Sequence, residues 1–164
     1  MSLRIGAPIA TVTAPIINPN NLKIEGFYCQ DKASKDQLVV LYQDIRDVVP
    51  QGIVVNDHEV LTHPDELVRL KDIMELNFDL LGKPVVTAGK EKIGKVNDYA
   101  TEVSTMYIQK LYVSQPLIKS LAGGSLSVER TQIIEITNRK IVIKDPLQPT
   151  KLKTAMPATA TATS

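Results

Sequence analysis

Leu81-Gly82-Lys83-Pro84-Val85, then Lys92-Ile93-Gly94-Lys95-Val96-Asn97-Asp98, and last Arg130-Thr131-Gln132-Ile133-Ile134-Glu135-Ile136-Thr137-Asn138-Arg139-Lys140-Ile141-Val142-Ile143-Lys144-Asp145 open, continue and close one β-patterned unit. Short Ile/Val runs cut by Gly, Pro and Asn are the composition of strands and turns. Its opening and its close both reappear near the N-terminus. Ile5-Gly6-Ala7-Pro8-Ile9 repeats Leu81 to Val85 in the order apolar, Gly, any, Pro, apolar, at an offset of 76. Gly52-Ile53-Val54-Val55-Asn56-Asp57 matches Lys140 to Asp145, and Asp44-Ile45-Arg46-Asp47-Val48 falls on Gln132 to Ile136, both at an offset of 88. The second copy therefore holds 12 more residues than the first. Agreement in order and in approximate spacing predicts two units related by internal duplication.

The pattern resembles the PRC-barrel family, the small β-barrel of the photosynthetic reaction-centre H subunit and of the C-terminal domain of a bacterial ribosome-maturation factor. The second unit carries the three hallmarks: the opening strand Leu81 to Val85, the Gly94-Lys95-Val96-Asn97-Asp98 strand, and the Ile133 to Ile143 hairpin. The first keeps the opening and the hairpin, but Ile16-Ile17-Asn18-Pro19-Asn20-Asn21-Leu22 stands where the middle strand is expected. The resemblance covers about residues 4 to 146. It implies a mainly β fold of two small PRC-barrel-like β-barrels, unit 1 over 1–62 and unit 2 over 80–148; apolar spacing adds a linking helix over 63–79, and a Thr, Ala, Lys and Pro composition without periodicity predicts a disordered tail over 149–164. It also implies a non-catalytic adaptor or scaffold that binds a protein partner. A ribosome- or RNA-associated maturation factor is the alternative.

Composition agrees with small packed β units. Apolar residues are 43% and aromatic ones only 4%, with no Trp, so Ile, Val and Leu must fill the core. Units of about 60 to 75 residues are marginal alone, which predicts that the two pack together. The net charge of +1 hides an asymmetry. Residues 1–80 hold 7 Lys and Arg against 12 Asp and Glu, and residues 81–164 hold 12 against 6, so the halves are −5 and +6. Opposite signs help the units associate, or the basic half meets an anionic partner such as RNA. Lys119, Arg130, Arg139 and Lys140 are the candidate partner-binding residues on that half. The basic half shows no aromatic interleaving for stacking on bases.

Cys29 is the single cysteine, which removes any intramolecular disulfide, suits a reducing compartment and reads as core filler. The N-terminus lacks a signal-peptide layout, and no apolar run approaches the roughly 20 residues that span a bilayer. The expectation is a cytoplasmic protein without membrane contact.

In chain order, Leu3 to Val12 reads as a strand interrupted by Pro8. Asn18-Pro19-Asn20-Asn21 is a turn, and Leu22 to Gln30 returns as a strand with Leu22, Ile24, Gly26 and Tyr28 on one face. Leu38 to Val49 with Ile53 to Asn56 reads as a hairpin about Pro50-Gln51-Gly52, with Asp44 and Asp47 pairing locally with Arg46. Pro64, Asp65 and Glu66 followed by Leu67, Leu70, Ile73 and Met74 predict a helix ending near Leu76. Strands follow over Val85 to Ala88, Gly94 to Val103 and Met106 to Val113. A helical turn is expected over Gln115 to Leu121, then a hinge at Gly123-Gly124-Ser125, which lacks the strand, helix and Lys of a phosphate loop.

No catalytic set is readable in these residues, and the reading is of a non-enzyme without cofactor. His58 and His63 lie five apart with no cysteine nearby and no matching histidine elsewhere, whereas a metal site needs three or four convergent ligands.

Overall fold

The computed structural model describes residues 1–3, 5–116 and 124–145 of a mainly β protein. The chain forms two compact units, one of residues 1–79 with 101–108, the other of residues 80–100 with the chain from 109 onward.

In the first unit, β1 (Ala10–Asn18), β2 (Lys23–Asp31) and β3 (Gln37–Leu41) make an antiparallel sheet in that order, and β4 (Ile45–Val49) pairs with β5 (Gly52–Val55) in a second. The turn between β1 and β2 is written in its asparagines. Asn18 Oδ1 accepts the Asn20 N–H and Asn21 Oδ1 the Lys23 N–H, which holds Leu22 at φ 56°. Gly26 is required where β2 meets β3, because a Cβ there would lie 2.5 Å from the Val40 carbonyl oxygen. The inward alternation of β2 begins at Ile24 and Gly26 and then changes phase, so Cys29 and Asp31 are buried and Tyr28 only half-buried. Ile16, Ile17, Leu38, Val39, Val40, Val54 and Val55 complete this core.

Three sequence expectations change here. The strand expected over Leu3 to Val12 begins instead at Ala10 and runs to Asn18. Ahead of it Ser2 bridges Val55 in parallel, and a turn through Gly6 (φ 70°) follows, closed by Ser2 N–H to Ala7 O and Gly6 N–H to Ser2 O. The hairpin expected from Leu38 to Asn56 is cut by a 3-10 turn at Tyr42–Asp44, which sends β3 to β2 and β4 to β5. The helix expected from Pro64 to Leu76 is two 3-10 turns, Pro64–Glu66 and Val68–Leu70, followed by α1 (Lys71–Leu76). Leu67 at φ −92°, ψ 69° sits outside helical space and interrupts the run. Leu67, Leu70, Ile73 and Met74 still form the half-buried stripe.

The second unit is built on β6 (Pro84–Thr87), β7 (Lys92–Thr101), β8 (Ile108–Ser114), β9 (Ser125–Glu129), β10 (Ile133–Ile136) and β11 (Ile141–Ile143). They form one sheet in the order β10-β11-β6-β7-β8-β9, antiparallel at every pair whose register is resolved except β11 with β6, which is parallel. The tip joining β7 to β8 belongs to the first unit. Among the described residues Leu80, Val85, Ile93, Val96, Leu111, Val113, Val128, Ile141 and Ile143 are its buried apolar side chains, and Thr87 is buried with them. Gly94 is fixed by contact, since a Cβ there would meet the Ser114 carbonyl oxygen at 2.0 Å.

The sheets do not close into the expected barrels. The first unit keeps two separate sheets, and in the second β9 and β10 are the outer strands of an open one. A one-turn 3-10 helix redirects the chain at the corresponding place in each, Tyr42–Asp44 before β4 and Arg130–Gln132 before β10. These elements recur at an offset of 88: β3 and β9 start at 37 and 125, the 3-10 turns at 42 and 130, β4 and β10 at 45 and 133. The bulge recurs too, between Ile45 and Asp47 and between Ile133 and Glu135. The opening motifs at offset 76 do not take equivalent places. Ser2 lies parallel to Val55 as Thr87 lies parallel to Ile143, an offset of 85. Both are buried, and each hydroxyl accepts a nearby N–H, from Ile5 and from Glu91. The helical turn expected over 115–121, the Gly123 of the hinge and the tail over 149–164 fall largely or wholly outside the described residues.

Candidate functional site

The β10–β11 turn of the second unit carries two exposed cations, Arg139 and Lys140. Thr137 Oγ1 accepts the N–H groups of Arg139 (3.2 Å) and Lys140 (3.1 Å), and the Thr137 N–H reaches the Lys140 carbonyl at 2.9 Å, so the turn is locked from inside. Lys83 Nζ donates to the Asn138 carbonyl at 2.8 Å, which ties the start of β6 to the same turn. Lys95 on β7 stands opposite Pro84, the residue after Lys83. Arg139, Lys140 and Lys95 are exposed and Lys83 is half-buried.

The sequence candidates are thus divided. Arg139 and Lys140 sit together at the turn. Arg130 opens the 3-10 turn at the far end of β10 and is half-buried. Lys119 lies outside the described residues. Lys83 and Lys95 were missed, although both stand in the quoted motifs, because only the fold ties Lys83 to the Asn138 carbonyl and sets Lys95 opposite Pro84. Lys110 is different: its Nζ lies 3.1 Å from Glu129 on the neighbouring strand, and that hydrogen bond raises its pKa. Among the described residues Lys95, Arg139 and Lys140 make no ion pair.

In the first unit, Asp31 is buried at the end of β2, with Oδ2 accepting the Ser34 N–H at 2.7 Å and Oδ1 2.6 Å from His58 Nε2. The Ser34 N–H first, and then His58, lower its pKa to about 2. Burial pushes the Cys29 thiol up and the Asp31 charge adds to this, so the thiol is protonated at neutral pH and inert. A carboxylate that orients a histidine is half of a nucleophile-activating set. Among the described residues no Ser, Thr or Cys side chain is bonded to His58, and no three His, Cys, Asp or Glu side chains are placed to hold a metal.

Arg46 donates through Nε to Asn56 Oδ1 at 2.8 Å, which corrects its expected pairing with Asp44 and Asp47. Tyr42 donates its hydroxyl to the Ser104 carbonyl at 2.7 Å, and Lys23 Nζ lies 4.6 Å from the Tyr42 ring centre and 5.7 Å from that of Tyr107. Shallow grooves flank Tyr42, one of about 500 Å³ beside Val48 and Val103, the other of about 590 Å³ beside Glu66 and Val68. β1 is the outer strand of its sheet, α1 packs against it, and its Thr11–Ala14 stretch is exposed.

Compared with models of known protein families and with curated proteins, the chain matches none. Among the described residues no helix is long and apolar enough to cross a membrane.

Proposed function

We propose that this protein is a non-catalytic adaptor or scaffold of PRC-barrel type, made of two units that arose by duplication, and that it holds a protein partner. The observation that carries the reading is the outer edge of β1. Ala10-Thr11-Val12-Thr13-Ala14 contains no charged side chain, is largely exposed, and is paired on one side only among the described residues. Folded proteins usually blunt such an edge with charge, and an unblunted edge accepts an extended segment of another chain. The recurrence of strand, 3-10 turn and bulged hairpin at an offset of 88 supports the duplication. A single buried cysteine suits the cytoplasm.

The test is co-purification from cells with RNase present, comparing the wild type with Val12→Lys. A stoichiometric protein partner that resists RNase and is lost on Val12→Lys supports the adaptor. Recovery of nothing, or of a partner indifferent to Val12→Lys, removes the observation on which it stands. A second reading, association with the ribosome or RNA, is favoured by the cations gathered at the β10–β11 turn.

A further inference from the structure

We propose that the end of the second unit formed by the β10–β11 turn and the adjoining residues of β6 and β7 binds the phosphate backbone of single-stranded nucleic acid, without reading its sequence. This rests on the second reading above and names its site. Ile141 faces Val85, and Lys95 faces Pro84, so Lys140 directly before β11, Lys83 directly before β6 and Lys95 within β7 stand at the same end of three neighbouring strands. Strands lie about 4.8 Å apart, which spreads these cations over roughly 10 Å of sheet end, with Arg139 at its margin.

The row is rigid because the Thr137 bonds fix the turn and the Lys83 bond anchors it to β6. The nearest acid on the hairpin, Glu135, is paired with Val142, ahead of the turn. The whole second unit has 12 Lys and Arg against 5 Asp and Glu, while the first has 7 against 13. A field of that sign attracts polyanions. No aromatic residue stands in 81–86, 93–97 or 137–142, so bases have nothing to stack on and the contact is with phosphates alone. Fixed cations on successive strands match the regular charge spacing of a nucleic-acid backbone better than the irregular, mobile carboxylates of an acidic peptide.

The experiment titrates the full chain against fluorescent 20-nucleotide RNAs, one of uridine and one of mixed sequence, between 50 and 300 mM salt. Four neutralised phosphates at about 0.7 each give a log–log slope near −3 for single strands, equal for both RNAs. Lys95→Gln with Arg139→Gln should flatten the slope to about −1.4, and Lys95→Glu with Arg139→Glu should weaken binding further at low salt. Reversal at Lys32 and Lys71, exposed in the first unit, should change neither. Equal melting temperatures for all variants separate lost binding from lost folding. No binding at 50 mM salt, binding untouched by either double variant, or competition by poly-glutamate as strong as by RNA would each overturn the site. Absence of ribosomal RNA from the purified protein bears on the ribosomal reading only, and leaves this titration decisive.

Discussion

Leu22 and Met106 mirror each other across the first unit. Both are buried, both hold left-handed φ, 56° and 61°, and both close a turn onto the residue four earlier, Leu22 N–H to Asn18 O at 2.8 Å and Met106 N–H to Glu102 O at 2.7 Å. Each then serves the other's strand: Ile108 N–H reaches the Leu22 carbonyl at 2.9 Å and Ile24 N–H the Met106 carbonyl at 2.8 Å. The exchange is a local two-fold at an offset of 84, and it gives the 101–108 tip its place in that unit.

The shared conformation makes a prediction about Met106. A non-glycine residue at left-handed φ costs about 1 kcal/mol that glycine does not. Met106→Ala should lose packing and keep the strain, whereas Met106→Gly relieves the strain. Met106→Gly is therefore expected to be no less stable than Met106→Ala in urea unfolding, the reverse of the usual order in a strand. A glycine variant less stable by 1 kcal/mol or more than the alanine one would show that the conformation is unstrained.

The Asp31–His58 pair sets an acid limb of stability. Asp31 has a folded pKa of about 2, below its ordinary value of 3.8, because the Ser34 N–H and His58 favour its ionised form. A depressed pKa stabilises the fold above the unfolded value and the contribution fades as pH falls through the folded one, so the loss runs from about pH 4 to pH 2. Melting temperature measured across that window should drop in the wild type, and Asp31→Asn should flatten part of the drop. An identical acid limb in Asp31→Asn would dismiss this carboxylate as the cause.

Gly94→Ala tests the close approach of two strands. The added methyl would sit 2.0 Å from the Ser114 carbonyl oxygen, and backbone cannot swing aside as a side chain can. A loss of about 2 to 4 kcal/mol is expected, the range of overpacked and strained sites. Gly89→Ala, whose nearest neighbour is the Thr87 hydroxyl at 3.7 Å, should cost under 1 kcal/mol by the same denaturant measurement.

Lys23 contributes through the rings of Tyr42 and Tyr107. Lys23→Met keeps the aliphatic stem and removes the charge, and should cost about 0.5 to 1 kcal/mol. The loss should shrink in a Tyr42→Leu background, where only the Tyr107 ring remains, and a double-mutant cycle that finds no coupling would dismiss the Tyr42 contact.

The amino-acid sequence by itself determined the local pieces. The Asn18 to Asn21 turn, the Ile/Val core and the β4–β5 and β10–β11 hairpins with their offset of 88 are legible because turn chemistry and β-branched runs act over a few residues. Only the tertiary structure decided how those pieces pair. The 3-10 turn at Tyr42–Asp44 splits what reads as one strand, because β2 captures its first half and β5 its second. Leu67 interrupts a helix whose apolar spacing is intact. Ser2 and Thr87, not the two Gly-x-Pro motifs, take equivalent places, since equivalence follows the hydrogen-bond ladder to β5 and β11. The basic end required Lys83 to reach the Asn138 carbonyl and Lys95 to stand opposite Pro84, and Asp31 finds His58 across 27 residues. Such pairs form where long-range strand register and burial bring the backbone, and no short stretch of sequence encodes that distance.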